Sequence, residues 1–272
     1  MIEFAEPQVM AIVNVTDDSF YDGSRFTGAD AIAERVERAV AEGASIIDIG
    51  GYSSRPNAED VSTEEEWKRV KRGLEAVARQ SVGVAVSVDT FRSEVARRAV
   101  EEFGPIMVND ISAGEADEKI VEVVARYNLP YVAMHMRGTP QSMQGLTDYP
   151  RGVVTEVCDY FRERVEWLRG RGVEQIILDP GFGFAKTTEQ NYELLAGLHR
   201  LCELGYPVLA GLSRKSMIYK VLDLSPAEAL NGTTALHWEA LRQGARILRV
   251  HDVAEAQQVV RLYTEYEKWV SQ

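Results

Sequence analysis

The feature that most constrains this chain is one local unit that recurs eight times. Each unit is a short apolar run closing on a polar residue, then a loop, then a helical period. The fullest case is Ile176-Ile177-Leu178-Asp179-Pro180-Gly181-Phe182-Gly183-Phe184-Ala185-Lys186. Three apolar residues in a row read as a strand buried on both faces, the kind found in parallel sheets. The run stops at Asp179, and Pro180 and Gly181 forbid further regular pairing. A strand-end Asp taken alone is more often a turn former than a functional group. Recurrence along the whole chain outweighs that reading.

Strands are expected over residues 8–13, 45–49, 84–88, 106–108, 131–134, 176–178, 207–210 and 246–250. Helices are expected over 29–42, 63–80, 93–102, 117–127, 152–170, from Thr188 onward, over 226–243, and from an Asp252 cap to Trp269. Ser62 followed by Glu65 has the capping-box spacing of a helix start. Alternation of this kind implies parallel strands joined by right-handed crossovers. Eight units in about 250 residues point to an α/β fold, a (β/α)8 TIM barrel. With no composition break or linker, residues 1–272 are expected to form a single domain, with the active site at the C-terminal ends of the strands. The alternative is an open doubly wound sheet, but no Gly-rich dinucleotide turn follows the first strand.

Composition removes several function classes. Hydrophobic residues at 45% and charged residues at 26% are ordinary for a chain with a sizeable core. No apolar window reaches the length of a membrane span, and MIEFAEPQVM lacks the layout of a signal peptide, so no membrane partner is expected. Cys158 and Cys202 have no metal-type spacing and read as reduced core thiols of a cytoplasmic protein. The net charge of -12 argues against a nucleic-acid partner, because a phosphate backbone needs a concentrated basic surface. An anionic small-molecule substrate would have to be held by local cations against that field.

In a barrel, the strand ends converge on one mouth. Those ends carry Asn14, Asp48, Asp89, Asn109, His135, Asp179, Lys215 just beyond strand seven, and Arg249 with His251. Asp89, Asn109 and Asp179 offer acceptors and an amide, which suits a flat heterocycle rich in N–H donors. Arg55, Arg249 and His251 form a cationic set, and Lys215 serves either. Arg249 and His251 are two apart, so on one strand face they could grip a phosphate together. Duller roles compete: Arg249 paired with Asp252, His251 capping the last helix, Phe182 and Phe184 folded back into the core. A Gly-spaced loop is nevertheless a poor place to bury them. His199 and His237 lie within helices and read as surface or core residues. No zinc spacing is present, and Ser213 lacks a His–Asp pair nearby, so a serine hydrolase is disfavoured.

Several of these segments resemble the signatures of dihydropteroate synthase. They are Asn14-Val15-Thr16-Asp17-Asp18-Ser19-Phe20 with Asp22-Gly23, Asp48-Ile49-Gly50-Gly51-Tyr52-Ser53-Ser54-Arg55-Pro56, and Ser87-Val88-Asp89-Thr90. Met134-His135-Met136-Arg137-Gly138-Thr139-Pro140, Asp179-Pro180-Gly181-Phe182-Gly183-Phe184, Gly211-Leu212-Ser213-Arg214-Lys215-Ser216 and Arg249-Val250-His251-Asp252 complete the set. The order is the family's order, from the first strand to the last.

The resemblance implies a condensation of folate biosynthesis. The amine of 4-aminobenzoate displaces diphosphate from 6-hydroxymethyl-7,8-dihydropterin diphosphate, giving 7,8-dihydropteroate. It implies a pterin pocket of Asp89, Asn109, Met134, Asp179, Lys215 and Arg249. A diphosphate site of Asn14, Arg249 and His251 is implied too, with Mg2+ beside Asn14. The implied aminobenzoate site is Ser54, Arg55, Pro56, Phe184, Ser213 and Lys215, with Phe20 on the first loop. Asp89, Lys215, Arg249 and His251 would carry the catalysis. A homodimer through the late helices is also implied, for which Leu236, Trp238 and Leu241 are available apolar residues. Asp17, Ser24, Tyr52, Ser54, Asn57, Phe182 and Ala185 depart from the family's commonest residues. Two other readings remain: a pterin-binding methyl-transfer module, and an inactive paralogue acting as an interaction protein. The cationic set argues against the module, which releases no anion.

Overall fold

The computed structural model describes residues 4–15, 28–53, 61–80 and 83–270. In chain order the elements are β1 (Gln8–Asn14), α1 (Gly28–Ala41), β2 (Ile46–Gly50), α2 (Thr63–Ala78), β3 (Ala85–Asp89), α3 (Ser93–Phe103), β4 (Met107–Asp110) and α4 (Lys119–Tyr127). They continue with β5 (Tyr131–Met134), α5 (Val153–Arg169), β6 (Ile176–Asp179), α6 (Thr188–Ala196), α7 (Leu198–Cys202), β7 (Leu209–Ala210), α8 (Ser216–Tyr219), α9 (Leu230–Arg242), β8 (Ile247–Val250) and α10 (Val253–Val270). All paired strands are parallel, in the order β6-β5-β4-β3-β2-β1-β8-β7. The two ends of that order meet. Leu178 of β6 bridges Val208 in parallel, and its N–H donates to the Pro207 carbonyl at 2.9 Å. The sheet therefore closes into the expected barrel.

Burial on both faces explains the apolar runs. Every residue of β2, β4, β5 and β6 is buried, the outer face under helices and the inner face inside the barrel. Met10, Ile46, Met107, Val132, Ile177, Leu209 and Ile247 form one apolar cluster, a plug with residues from seven strands. Strand side chains alternate faces, so the inward residues one step toward the C-terminal ends lie two further along. Those are Ile12, Asp48, Asn109, Met134, Asp179, Gly211 and Arg249. An apolar floor carrying a largely polar layer is thus a consequence of period-two alternation.

Local signals set the element ends. The Ser62 hydroxyl accepts from the Glu65 N–H at 3.2 Å, as the capping spacing predicted. Thr187 and Gln190 form a full capping box on α6. The single helix expected after Thr188 is broken at Gly197, where a Cβ would stand 2.8 and 2.9 Å from the Val154 methyls. The helix expected over 226–243 likewise divides into a 3-10 turn, Pro226–Glu228, and α9. Leu241 is core, and Leu236 and Trp238 are partly buried, with Trp238 edge-on to Tyr263 and Tyr266. Both cysteines are free thiols, Cys158 buried and Cys202 half-buried. Among the described residues no helix is long and apolar enough to cross a membrane.

The turn after β6 depends on Gly181. Its φ is +68°, and a Cβ there would lie 2.0 Å from the His135 carbonyl oxygen. Gly181→Ala is therefore expected to destabilise the fold by about 2–5 kcal/mol, combining backbone strain with overpacking. Urea unfolding measures this; a loss under about 1 kcal/mol would mean the two segments are not in contact there.

Candidate active site

Arg249 is at the centre of the polar layer. Its Nε donates to Asp48 Oδ2 at 2.7 Å and its Nη2 to Asp89 Oδ2 at 2.6 Å. Asn109 Nδ2 donates to the same Asp48 oxygen at 3.0 Å. This engages one of the two amide N–H donors and leaves the Asn109 oxygen available as an acceptor for a ligand. Asp48 is fully buried, and its Oδ1 and the buried Ser87 Oγ lack hydrogen-bond partners among the described residues. Burial pushes the Asp89 carboxyl up, while the Arg249 guanidinium bonded to it pulls toward the ionised form. Arg249, for its part, is held cationic by Asp48 and Asp89 against burial. Asp48 was legible as a strand residue but received no role. The missed signal is a lone carboxylate between Ile47 and Ile49, which has to find partners inside the barrel.

The opposite side of the mouth is built on β6 and the loop after β7. Asp179 Oδ1 accepts from the Gly181 N–H at 2.8 Å, and burial pushes its carboxyl up against the nearby Lys215. Lys215 Nζ donates to the Phe182 carbonyl and lies 4.9 Å above the Phe184 ring centroid. Burial pushes its ammonium down to about 8. Ile111, Met134, Met136, Met143 and Ala185, with Phe91 and Phe184 partly buried, make an apolar wall. Phe182 is fully buried in the main core, which corrects the expectation that this loop is a poor place to bury an aromatic. His135 is also buried, packed against Tyr149, Tyr160 and Phe161 and bonded to Lys186. Burial pushes Lys186 down to about 7.

His251 follows β8. The Ser213 hydroxyl accepts from the His251 backbone N–H at 3.1 Å and lies 3.0 Å from its Nδ1. A histidine therefore lies beside Ser213, but without an Asp to complete the pair. It is not a hydrolase triad, because Asp252 is taken by Arg214 through two N–H bonds of 2.8 and 2.7 Å. That pairing also replaces the alternative of Arg249 with Asp252. Burial pushes the His251 imidazole down to about 4, so it is neutral near pH 7 and one ring nitrogen remains a donor.

Asn14 ends β1 in register with Gly50. The missing Cβ of Gly50 leaves a gap 3.3 Å from Asn14 Oδ1 and 3.7 Å from Asp89 Oδ2. Nearby, Tyr52 meets Phe91 edge-on at 5.1 Å, with the Arg92 guanidinium over both rings. Ser54, Arg55 and Pro56, and Phe20 with the other departures at Asp17, Ser24 and Asn57, lie outside the described residues. Among the described residues no group of three or more His, Cys, Asp or Glu side chains is placed to hold a metal ion.

Residues 10–251 match the family described as pterin binding enzyme. The chain is 46% identical over 257 residues to a dihydropteroate synthase of Synechocystis, covering 93% of this chain and 88% of that one. Among solved structures, the dihydropteroate synthase of Xanthomonas albilineans with 4-aminobenzoic acid superposes with a TM-score of 0.89 at 41% identity. That match covers 97% of this chain and 94% of the other. The same enzyme in complex with 7,8-dihydropteroate gives a TM-score of 0.87 at 39% identity, covering 98% and 95%.

Proposed function

The chain belongs to the pterin-binding enzymes and, within them, to the dihydropteroate synthase family, and from that premise we propose how its barrel mouth works. It is a transferase of folate synthesis, joining 6-hydroxymethyl-7,8-dihydropterin diphosphate to 4-aminobenzoate and releasing diphosphate. The observation that carries the site assignment is the group of polar side chains at the strand ends above the apolar plug. It sets Asp89, Asn109 and Asp179 against Arg249 and Lys215 around one mouth.

In this reading Asp179 and the Asn109 oxygen accept from the N–H-rich edge of the pterin, and Met134 lies against its face. Arg249 and the donor nitrogen of His251 hold the diphosphate. The methylene C–O bond breaks with its electrons leaving on the diphosphate, and the aromatic amine forms the C–N bond. The amine proton leaves to the diphosphate or to water. Positive charge grows on the methylene as the bond stretches, and ionised Asp89 favours it. The amine is already a nucleophile, so no strong general base is needed. Phe184, Lys215 and Ser213 offer the aminobenzoate an aromatic platform, a cation and a hydroxyl. Ser54, Arg55 and Pro56 are assigned to the same substrate from the family resemblance.

The oxygen-lined gap over Gly50 suits a hard cation such as Mg2+, which keeps several waters and takes few protein oxygens. Asn14 would hold it together with diphosphate oxygens. Bound there, it would neutralise charge on the leaving group. Leu262, Tyr266 and Trp269 form an exposed apolar row at i, i+4, i+7 on α10. We assign that row to a homodimer contact. Two free thiols suit the reducing cytoplasm.

The pterin assignment is tested at Asp179. Asp179→Asn puts a donor opposite donors, and the expected cost in pterin affinity is about 2–4 kcal/mol. Calorimetry measures it. Unchanged affinity would remove Asp179 from the pocket.

A further inference from the structure

Lys186 belongs to none of the groups assigned above, yet it is 8% exposed and sits directly behind them. Its amino group has three uncharged hydrogen-bond partners: it donates to the Gly181 carbonyl at 3.1 Å and the Phe184 carbonyl at 3.0 Å, and lies 3.0 Å from His135 Nδ1. Among the described residues no carboxylate bonds to it. Burying a cation without an ion pair is costly, whereas a methionine would fill similar volume without that desolvation. What methionine cannot do is tie three acceptors to one point.

Those acceptors bracket the loop that presents the aromatic platform. Gly181 begins the turn, and its carbonyl also accepts from the Phe184 N–H at 3.0 Å. Phe184 carries the ring under Lys215. Ala185, the next residue, is held at φ +50°, a left-handed conformation that a residue with a Cβ adopts only under constraint. Its carbonyl accepts from the Tyr149 hydroxyl at 3.1 Å. Asn191 closes the far side, with Oδ1 accepting from the Gly183 N–H at 2.7 Å and Nδ2 donating to the Thr187 carbonyl at 2.6 Å. On the other flank, the His135 N–H donates to the Asp179 carbonyl at 2.9 Å, so Lys186 links the ends of β5 and β6 as well.

We propose that Lys186 is a positioning residue for the second substrate: through His135 and the Gly181 and Phe184 carbonyls it fixes the Phe184 ring where the aminobenzoate stacks. The inference rests on the reading of Phe184 and Lys215 as the aminobenzoate site. The charged form of Lys186 carries one chemical consequence. An ammonium can only donate, so below the lowered Lys186 pKa of about 7 His135 Nδ1 is the acceptor and the imidazole proton lies on Nε2.

The test is a double-mutant cycle on KM together with a spectroscopic reading of the unaltered protein. Lys186→Met is expected to raise KM for 4-aminobenzoate tenfold or more, while kcat and the affinity for the pterin diphosphate stay within about threefold. Phe184→Leu should also raise that KM, and the double variant should be no worse than the poorer single one, because both act on the same ring. A KM within twofold of normal in Lys186→Met would overturn the proposal, as would effects of the two changes that multiply. If Lys186→Met does not fold, the 15N shifts of His135 in mild acid decide, at a pH below the Lys186 pKa of about 7 where buried His135 is still neutral: an unprotonated Nδ1 supports the staple and a protonated Nδ1 overturns it. Failure of the broader reading is distinct, since the unaltered protein would then show no turnover dependent on aminobenzoate.

Discussion

Arg249→Ala is expected to cost stability and turnover together. The change leaves Asp48 and Asp89 facing each other without the guanidinium that bonds both. Asp48 is fully buried while Arg249 and Asp89 are each 20% exposed, so the Asp48 contact dominates the loss. Breaking a buried pair by removing one partner costs about 3–5 kcal/mol, which denaturant unfolding resolves easily. Two charge-assisted bonds to the leaving group, at roughly 1.5–3 kcal/mol each, put the fall in turnover at about two to four orders of magnitude. The two effects can be separated. Arg249→Met combined with Asp48→Leu replaces the buried pair by apolar volume, so it should recover much of the stability and none of the turnover. An Arg249→Ala protein that unfolds at the normal denaturant concentration would show that the guanidinium is not what holds the layer.

Lys215→Ala is expected to do the reverse, abolishing condensation in a protein that still folds. Lys215 is desolvated, so removing it relieves a cost even as the bond to the Phe182 carbonyl is lost. Stability should stay within about 1–2 kcal/mol of normal. One charge-assisted bond plus a cation–π contact amounts to about 2–5 kcal/mol, or roughly one and a half to three and a half orders of magnitude in turnover. Near-normal turnover would reduce Lys215 to a tie for the loop after β6.

The parts of this account that were legible in the sequence are those that depend on alternation. The plug at Ile46, Met107, Ile177 and Ile247 and the layer two residues beyond it follow from strand period alone, and so does the barrel. What was not legible depends on which distant side chains meet. Arg214 and Asp252 are 38 residues apart, as are Ser213 and His251, and no local pattern pairs them. Asp48 is separated by 201 residues from Arg249, so its part in orienting both Arg249 and Asn109 appears only once the barrel closes. Phe182 failed for another reason. Glycines at 181 and 183, both with positive φ, let the chain reverse sharply enough to drop that ring into the core. From sequence alone the same glycines point to exposure.

The central claim is that this mouth uses the amine of one substrate to expel diphosphate from the other. Its most direct test is to measure diphosphate release from 6-hydroxymethyl-7,8-dihydropterin diphosphate with and without 4-aminobenzoate, in the presence of Mg2+. Release is expected to require both substrates and to match dihydropteroate formed one for one. Tight pterin binding with no release, or release that proceeds equally without 4-aminobenzoate, would contradict it.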